Sequence, residues 1–187
     1  MTLKDSMQKF NAIKKVAFIA AMAAASSAFG HIVLEQGSAA AGSSYRAVLR
    51  VGHGCGTEAT QAIRVLLPAG FRGAKPMPKP GWTLATRSEK LAQPYTSHGK
   101  EVTQDVVEIS WGANSAADAL PDAHYDEFIL RGTLPAQPGP LWFKVLQRCA
   151  SAQNDWADLP ATGTQTKGMK TPAVLLTVTP AAAGHSH

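Results

Sequence analysis

Short runs of alternating apolar and polar residues, separated by glycine and proline, constrain the fold of this chain more than any other feature. Over residues 45–51 and 102–111 the two kinds broadly alternate, as in a strand with one packed and one solvated face. No segment after residue 30 keeps an apolar stripe at helical spacing for three turns. The sequence therefore predicts an all-β, antiparallel sandwich, with strands at residues 31–35, 45–51, 62–67, 82–87, 101–111, 125–134, 141–147 and 174–178.

Residues 1–30 have the composition of a signal peptide. Four lysines give a basic start, and residues 16–25 form an apolar run that is too short to cross a bilayer. Small residues, Ala28 and Gly30, occupy the positions that a signal peptidase reads, which predicts cleavage between Gly30 and His31. The alternative is an amphipathic helix at the start of a cytosolic protein.

The net charge of residues 31–187 argues against nucleic acid as a partner. Residues 1–30 hold four lysines and one aspartate, so 18 basic and 13 acidic side chains become 14 and 12 after cleavage. A balance of +2 without a clustered basic face offers no basis for binding nucleic acid. We expect one domain over residues 31–180, a disordered tail over residues 181–187, and a periplasmic or extracellular location.

The chain has two cysteines, Cys55 and Cys149. In an exported protein an even pair indicates a disulfide, which here would close a loop of 94 positions and join an early strand to a late one. The alternative is a copper thiolate site, but neither cysteine belongs to a closely spaced motif such as CxxC.

A histidine at the first position of a mature chain offers two metal ligands at once. The α-amine and the imidazole Nδ1 of His31 can close a chelate ring on one ion, which no internal histidine can do. Cu(II) heads the affinity order for such nitrogen sites and accepts a tetragonal arrangement. The alternative is that His31 is simply the exposed first residue of the domain.

Several segments, in this order and spacing, resemble the YcnI-like family of exported copper-binding domains. They are residues 31–35, 51–56, 77–82, 94–100 and 125–128, the region around Cys149, and residues 155–156. The resemblance implies a β-sandwich of the cupredoxin or immunoglobulin type. It also implies a protein that is anchored in or exported across the cytoplasmic membrane and that handles copper.

The resemblance further implies a ligand set. In the family, Cu(II) is held in a single-histidine brace by the amine and imidazole of the N-terminal histidine and by a glutamate, with a tryptophan beside the metal. The matching residues are His31, Glu127 and, outside the ligand set, Trp156. Spacing alone leaves two alternatives open: an ion pair of Glu127 with Arg131 or Arg50, and a place for Trp156 in the core.

The other histidines are not assigned as ligands. His53, His98 and His124 are expected in loops, where single histidines are more often hydrogen-bonded or solvated than metal-bound. His185 and His187 lie in the flexible tail and would make a weak, unselective site. Met77 suits Cu(I), but one thioether in a proline-rich loop is slight support.

Three functions remain open at this stage. The first is a copper-binding protein, not an enzyme, that acts as a chaperone, buffer or sensor outside the cytoplasm and exchanges copper with a membrane copper transporter or another chaperone. The second is a copper-dependent oxidative enzyme resembling polysaccharide oxygenases, which would need a second brace histidine and a flat, commonly aromatic face. The third is a structural or adhesive sandwich, in which His31 binds nothing.

Overall fold

Two β-sheets packed face to face make up the computed structural model, which describes residues 30–181. The strands are β1 (Val33–Leu34), β2 (Ser38–Ala40), β3 (Ser44–Val51), β4 (Ala62–Leu66), β5 (Arg72–Pro76), β6 (Trp82–Ser97), β7 (Lys100–Ala113), β8 (Asp126–Thr133), β9 (Gly139–Arg148), β10 (Gln153–Trp156) and β11 (Val174–Thr179). A single 3-10 turn, Ala116–Asp118, is the one helical element of these residues. The all-β prediction is confirmed.

The smaller sheet has the strand order β1-β3-β8-β5, and the larger has the order β2-β11-β9-β4-β7-β6. β10 also pairs with β9, beyond the end of β11. All pairs are antiparallel except β2 with β11, which run parallel. The antiparallel sandwich predicted from the sequence is therefore confirmed, with one parallel pair at the edge of the larger sheet.

The core lies between the sheets and follows the alternation in the sequence. In β9, Leu141, Phe143 and Val145 point inward, with charged or partly exposed residues between them. Phe128 of β8 packs edge to face against Trp82 and Trp111, with ring centroids 5.1 and 5.6 Å away. Trp82, the first residue of β6, is buried directly after the proline-rich residues 75–81.

Each predicted strand overlaps an observed one, and β6 extends to Ser97, well beyond the predicted end at residue 87, whereas β2, β5 and β10 were not expected. β5 includes Lys75 and Pro76 of the proline-rich segment and forms an edge of the smaller sheet, where proline removes no bond between strands. β10 forms where residues 153–156 pair with the end of β9. Between residues 30 and 181, no helix has the length and hydropathy to cross a membrane.

The predicted disulfide between Cys55 and Cys149 is present, with the two Cα atoms 6.0 Å apart. Cys55 follows β3 of the smaller sheet, and Cys149 directly follows β9 of the larger sheet. The bond therefore joins the two sheets at the end of the sandwich where β3 and β9 stop. The predicted cleavage site lies at the border of the described residues, and the tail histidines lie outside them.

Replacing both Cys55 and Cys149 with serine should lower the free energy of unfolding by about 4 kcal/mol, because the unfolded chain regains the freedom of a 94-residue loop. Urea unfolding of the oxidised parent and the double variant measures the difference. Thiol titration of the unfolded, unreduced parent should find no reactive thiol. Two reactive thiols, or equal unfolding midpoints, would contradict the bond.

Candidate metal centre

The loop after β3 is held rigidly at the disulfide end of the sandwich. Gly54 must be glycine, because a Cβ atom there would lie 1.7 Å from the carbonyl oxygen of Glu58. The Gly54 amide donates to Oδ1 of Asp122 at 2.8 Å. The carboxylate of Glu58 accepts hydrogen bonds from the side chain and backbone of Ser151, and these bonds lower the pKa of Glu58. The loop therefore presents His53 in a fixed position.

A fully buried amide, Gln147, connects this loop to the larger sheet. Its Nε2 donates to the carbonyl oxygen of His53 at 2.7 Å and to Oγ1 of Thr60 at 2.8 Å. Its Oε1 accepts from Nε1 of Trp156 at 3.1 Å and from Nδ2 of Asn154 at 3.2 Å. Both donors and both lone-pair directions of the amide are therefore used. Gln147 fixes His53 and Trp156 relative to each other.

Trp156 is 1% exposed and belongs to the core, as one of the alternatives from the sequence proposed. It also meets His31, with ring centroids 5.6 Å apart at an interplanar angle of 62°. The fold therefore places the ring of Trp156 beside His31. The indole N–H points to Gln147, so the indole offers the region of His31 only carbon atoms and its π face.

His53, which the sequence analysis did not assign, also lies against Trp156. The ring centroids are 6.2 Å apart at an interplanar angle of 73°. Two imidazoles, one preceding β1 and one following β3, thus contact the same indole. The signal that was available was the sequence His53-Gly54-Cys55, in which a disulfide near the histidine restricts its loop.

Glu127 is the second residue of β8, at the same end of the sandwich. Its Oε1 lies 3.3 Å from Nε of Arg50, which is the ion pair that spacing alone offered as an alternative. Nη2 of Arg50 also binds Glu35 at 2.7 Å. The register of β1, β3 and β8 places Val33, Arg50 and Glu127 side by side, so β3 lies between Glu127 and the strand that His31 precedes.

Within the described part of the chain, no three His, Cys, Asp or Glu side chains converge so as to hold a metal ion. A histidine brace would not form such a cluster, because two of its ligands belong to one residue and one of these two is the backbone nitrogen. The remaining histidines lie elsewhere: His98 forms the tip of the β6–β7 hairpin with a φ of 49°, and His124 lies in the loop before β8. The structure therefore gathers His31, His53 and Trp156 in one place, and leaves Glu127 with Arg50.

Replacing Gln147 with methionine should lower the free energy of unfolding by about 2–4 kcal/mol, because the Trp156 N–H and the His53 carbonyl lose their buried partner. Urea unfolding followed by tryptophan fluorescence measures the effect. The matched control is Gln104→Met, since Gln104 is exposed on β7 and should change stability by less than about 0.5 kcal/mol. Equal effects of the two variants would contradict the role given to Gln147.

Comparison with solved structures agrees with the fold. An uncharacterised protein from Nocardia farcinica with an immunoglobulin-like fold has a TM-score of 0.61 and 23% identity, covering 79% of this chain and 97% of its own. The seventh ScaB type I cohesin from Pseudobacteroides cellulosolvens has a TM-score of 0.40 and 12% identity, over 84% of this chain and 96% of its own. At these identities the likeness to the Nocardia protein establishes the fold alone.

No curated protein sequence shows significant similarity to this chain. Residues 31–178 match the family described as "Domain of unknown function (DUF1775)". YcnI-like domains, which the sequence resembles, belong to the same family. Because the match covers most of the chain and begins at His31, the chain belongs to the DUF1775 family.

Proposed function

We propose that this protein binds copper outside the cytoplasm, as a chaperone, buffer or sensor, and holds Cu(II) in a single-histidine brace formed by the mature N-terminus. The observation that carries the proposal is the contact between His31 and the buried ring of Trp156, 5.6 Å between centroids. A first residue that was simply exposed to solvent would not pack against a buried aromatic ring. The ring of Trp156 is itself held by its hydrogen bond to Gln147, at the disulfide end of the sandwich.

The donor set of His31 fits Cu(II). The α-amine and Nδ1 supply two nitrogen ligands from one residue, and Cu(II) outranks the other divalent first-row metals at nitrogen sites. Trp156 adds no ligand, since its N–H is a donor and is already bound to Gln147. Its role is to exclude water from one side of the ion and to limit the positions that the His31 ring can take.

Glu127 is proposed as the carboxylate ligand, and the surrounding charges allow it to change partners. Arg50 forms ion pairs with both Glu127 and Glu35. If Glu127 bound a metal ion instead, Arg50 would still be paired with Glu35. Glu127 is 32% exposed, so solvent reaches its side chain. Gly52 directly follows β3, and a Cβ atom there would meet nothing within 4 Å, which leaves open space for the side chain of Glu127 to reorient.

The extracytoplasmic location rests on the disulfide and on the composition of residues 1–30. A disulfide that joins the two sheets is compatible with an oxidising compartment. Export would also create the free α-amine at His31, so location and metal binding depend on one cleavage. The partners that we propose are a membrane copper transporter or another copper chaperone.

A copper-dependent oxidative enzyme is the second candidate, and the nearness of His53 to Trp156 is the observation in its favour. A polysaccharide substrate would also call for a flat aromatic face. Of the large apolar side chains exposed between residues 30 and 181, Tyr125 is the one aromatic. A single tyrosine does not make such a face, so a binding protein is the better supported proposal.

Adding one glycine ahead of His31 in the mature protein should weaken Cu(II) binding by about 100-fold or more, because the α-amine ligand and its chelate ring are lost together. Competition against a chromophoric chelator measures the affinity. The control is His98→Ala, which alters a histidine at the distant hairpin tip and should leave the affinity unchanged. Equal affinities of the extended and the mature protein would refute the brace.

Glu127→Gln should weaken Cu(II) binding by about tenfold while the fold is retained, because a charged oxygen ligand becomes a neutral amide. Glu35→Gln is the matched control, since it removes the other carboxylate of Arg50 and leaves Glu127 in place. If both variants weaken binding equally, the effect acts through Arg50 and Glu127 is not a ligand. The same competition assay decides between the two.

A further inference from the structure

His53 has a feature that the single-histidine brace does not use: its Nε2 is aimed at the backbone of the first described residues. Nε2 is hydrogen-bonded to the carbonyl oxygen of Gly30. A Cβ atom built on Gly30 would lie 2.7 Å from Cδ2 and 3.3 Å from Nε2 of His53. The chain at Gly30 therefore runs directly against this imidazole.

This contact places the future α-amine of His31 close to His53. The carbonyl oxygen of Gly30 and the backbone nitrogen of His31 are bonded to the same carbon, so they are about 2.3 Å apart. Because Nε2 is in direct contact with that oxygen, the His31 nitrogen lies within about 5 Å of Nε2. Two nitrogen ligands of one metal ion, each bound at about 2.0–2.1 Å, lie about 3–4 Å apart, so a small shift brings both to one ion.

The other ring nitrogen already has the partner that a metal-binding histidine needs. Nδ1 of His53 lies 2.6 Å from the carbonyl oxygen of Gly54. A carbonyl only accepts, so once the Gly30 carbonyl has left with residues 1–30, the bond to Gly54 keeps the proton of the neutral ring on Nδ1 and the lone pair on Nε2. Metal-ligating histidines commonly donate their second N–H to such a carbonyl, which fixes the tautomer and the ring orientation.

From this geometry we infer that His53 Nε2 is a second imidazole ligand of the copper ion at the N-terminus, and that cleavage after Gly30 is what exposes it. The inference rests on the proposed function and extends its ligand set. Hydrolysis of the Gly30–His31 peptide bond by water leaves a carboxylate on Gly30 and an amine on His31. The leader takes away the carbonyl that occupied Nε2, so one cleavage releases both the amine and the imidazole.

The loop of His53 is suited to this role. Gln147 holds the His53 carbonyl, Asp122 holds the Gly54 amide, and the disulfide fixes Cys55 two residues later. The ring is thus placed by backbone contacts that do not depend on its side chain. A substitution of His53 should therefore remove a ligand and leave the loop in position.

Electron spin echo envelope modulation on the Cu(II)-loaded protein counts the imidazoles bound to the ion. The sample is the mature chain from His31 to the end, with His185→Ala and His187→Ala to remove the tail histidines. We expect two imidazoles in this parent and one in His53→Gln, with affinity for Cu(II) reduced about tenfold or more. His98→Gln is the matched control and should keep two imidazoles and the parent affinity.

The outcomes separate the two proposals. One imidazole in both the parent and His53→Gln, at equal affinity, would overturn the role of His53 and leave the single-histidine brace standing. Two imidazoles in His53→Gln would overturn it as well, because another histidine would then be bound. A parent that binds no Cu(II) would overturn the proposed function and this inference with it. The count in the parent needs no substitution of His53, so it stands even if His53→Gln fails to fold.

Discussion

The hydrogen bonds of one buried amide, that of Gln147, determine how the loop after β3 and strand β10 are arranged at the disulfide end of the sandwich. Gln147 replaces an apolar side chain in the inward-facing row of β9, and burying an unpaired amide would cost about 1–3 kcal/mol for each polar atom. Both polar atoms of the side-chain amide are hydrogen-bonded, to His53, Thr60, Trp156 and Asn154. The loop after β3 and the strand β10 therefore have one relative position that satisfies the amide. The disulfide at Cys149, directly after β9, restrains the same loop covalently.

A scaffold of this kind suits a metal site built from a chain terminus. A terminal residue has little structure of its own, so its ring needs a surface fixed by other elements. Here that surface is Trp156, and His53 stands beside it. The charged groups form a separate row over β1, β3 and β8, where Arg50 balances Glu35 and Glu127. In the proposed site, the imidazoles would come from the side of Trp156 and the carboxylate from this charged row.

The sequence predicted the strands that follow period-two alternation, because that signal depends only on neighbouring residues. It missed β5, whose glycine, lysine and proline carry no strand preference, and β10, whose polar residues resemble a loop. The family resemblance implied a tryptophan beside the metal, and the structure places the ring of Trp156 against His31. Gln147 could have been noticed as a polar residue at an inward position of β9. Cys55 two residues later was a signal that His53 lies in a restrained loop, but its place beside His31 could not be predicted, because the approach of the chain before β1 to the loop after β3 depends on long-range pairing.

The central claim is that a free amine at His31 holds one copper ion, and native mass spectrometry of the protein exported from copper-supplied cells tests it most directly. One spectrum reports both where the chain begins and how many metal ions it carries. The account predicts a chain that starts at His31, carries one intact disulfide and retains one copper ion. A chain that starts at another residue, or one that starts at His31 and carries no copper, would contradict it.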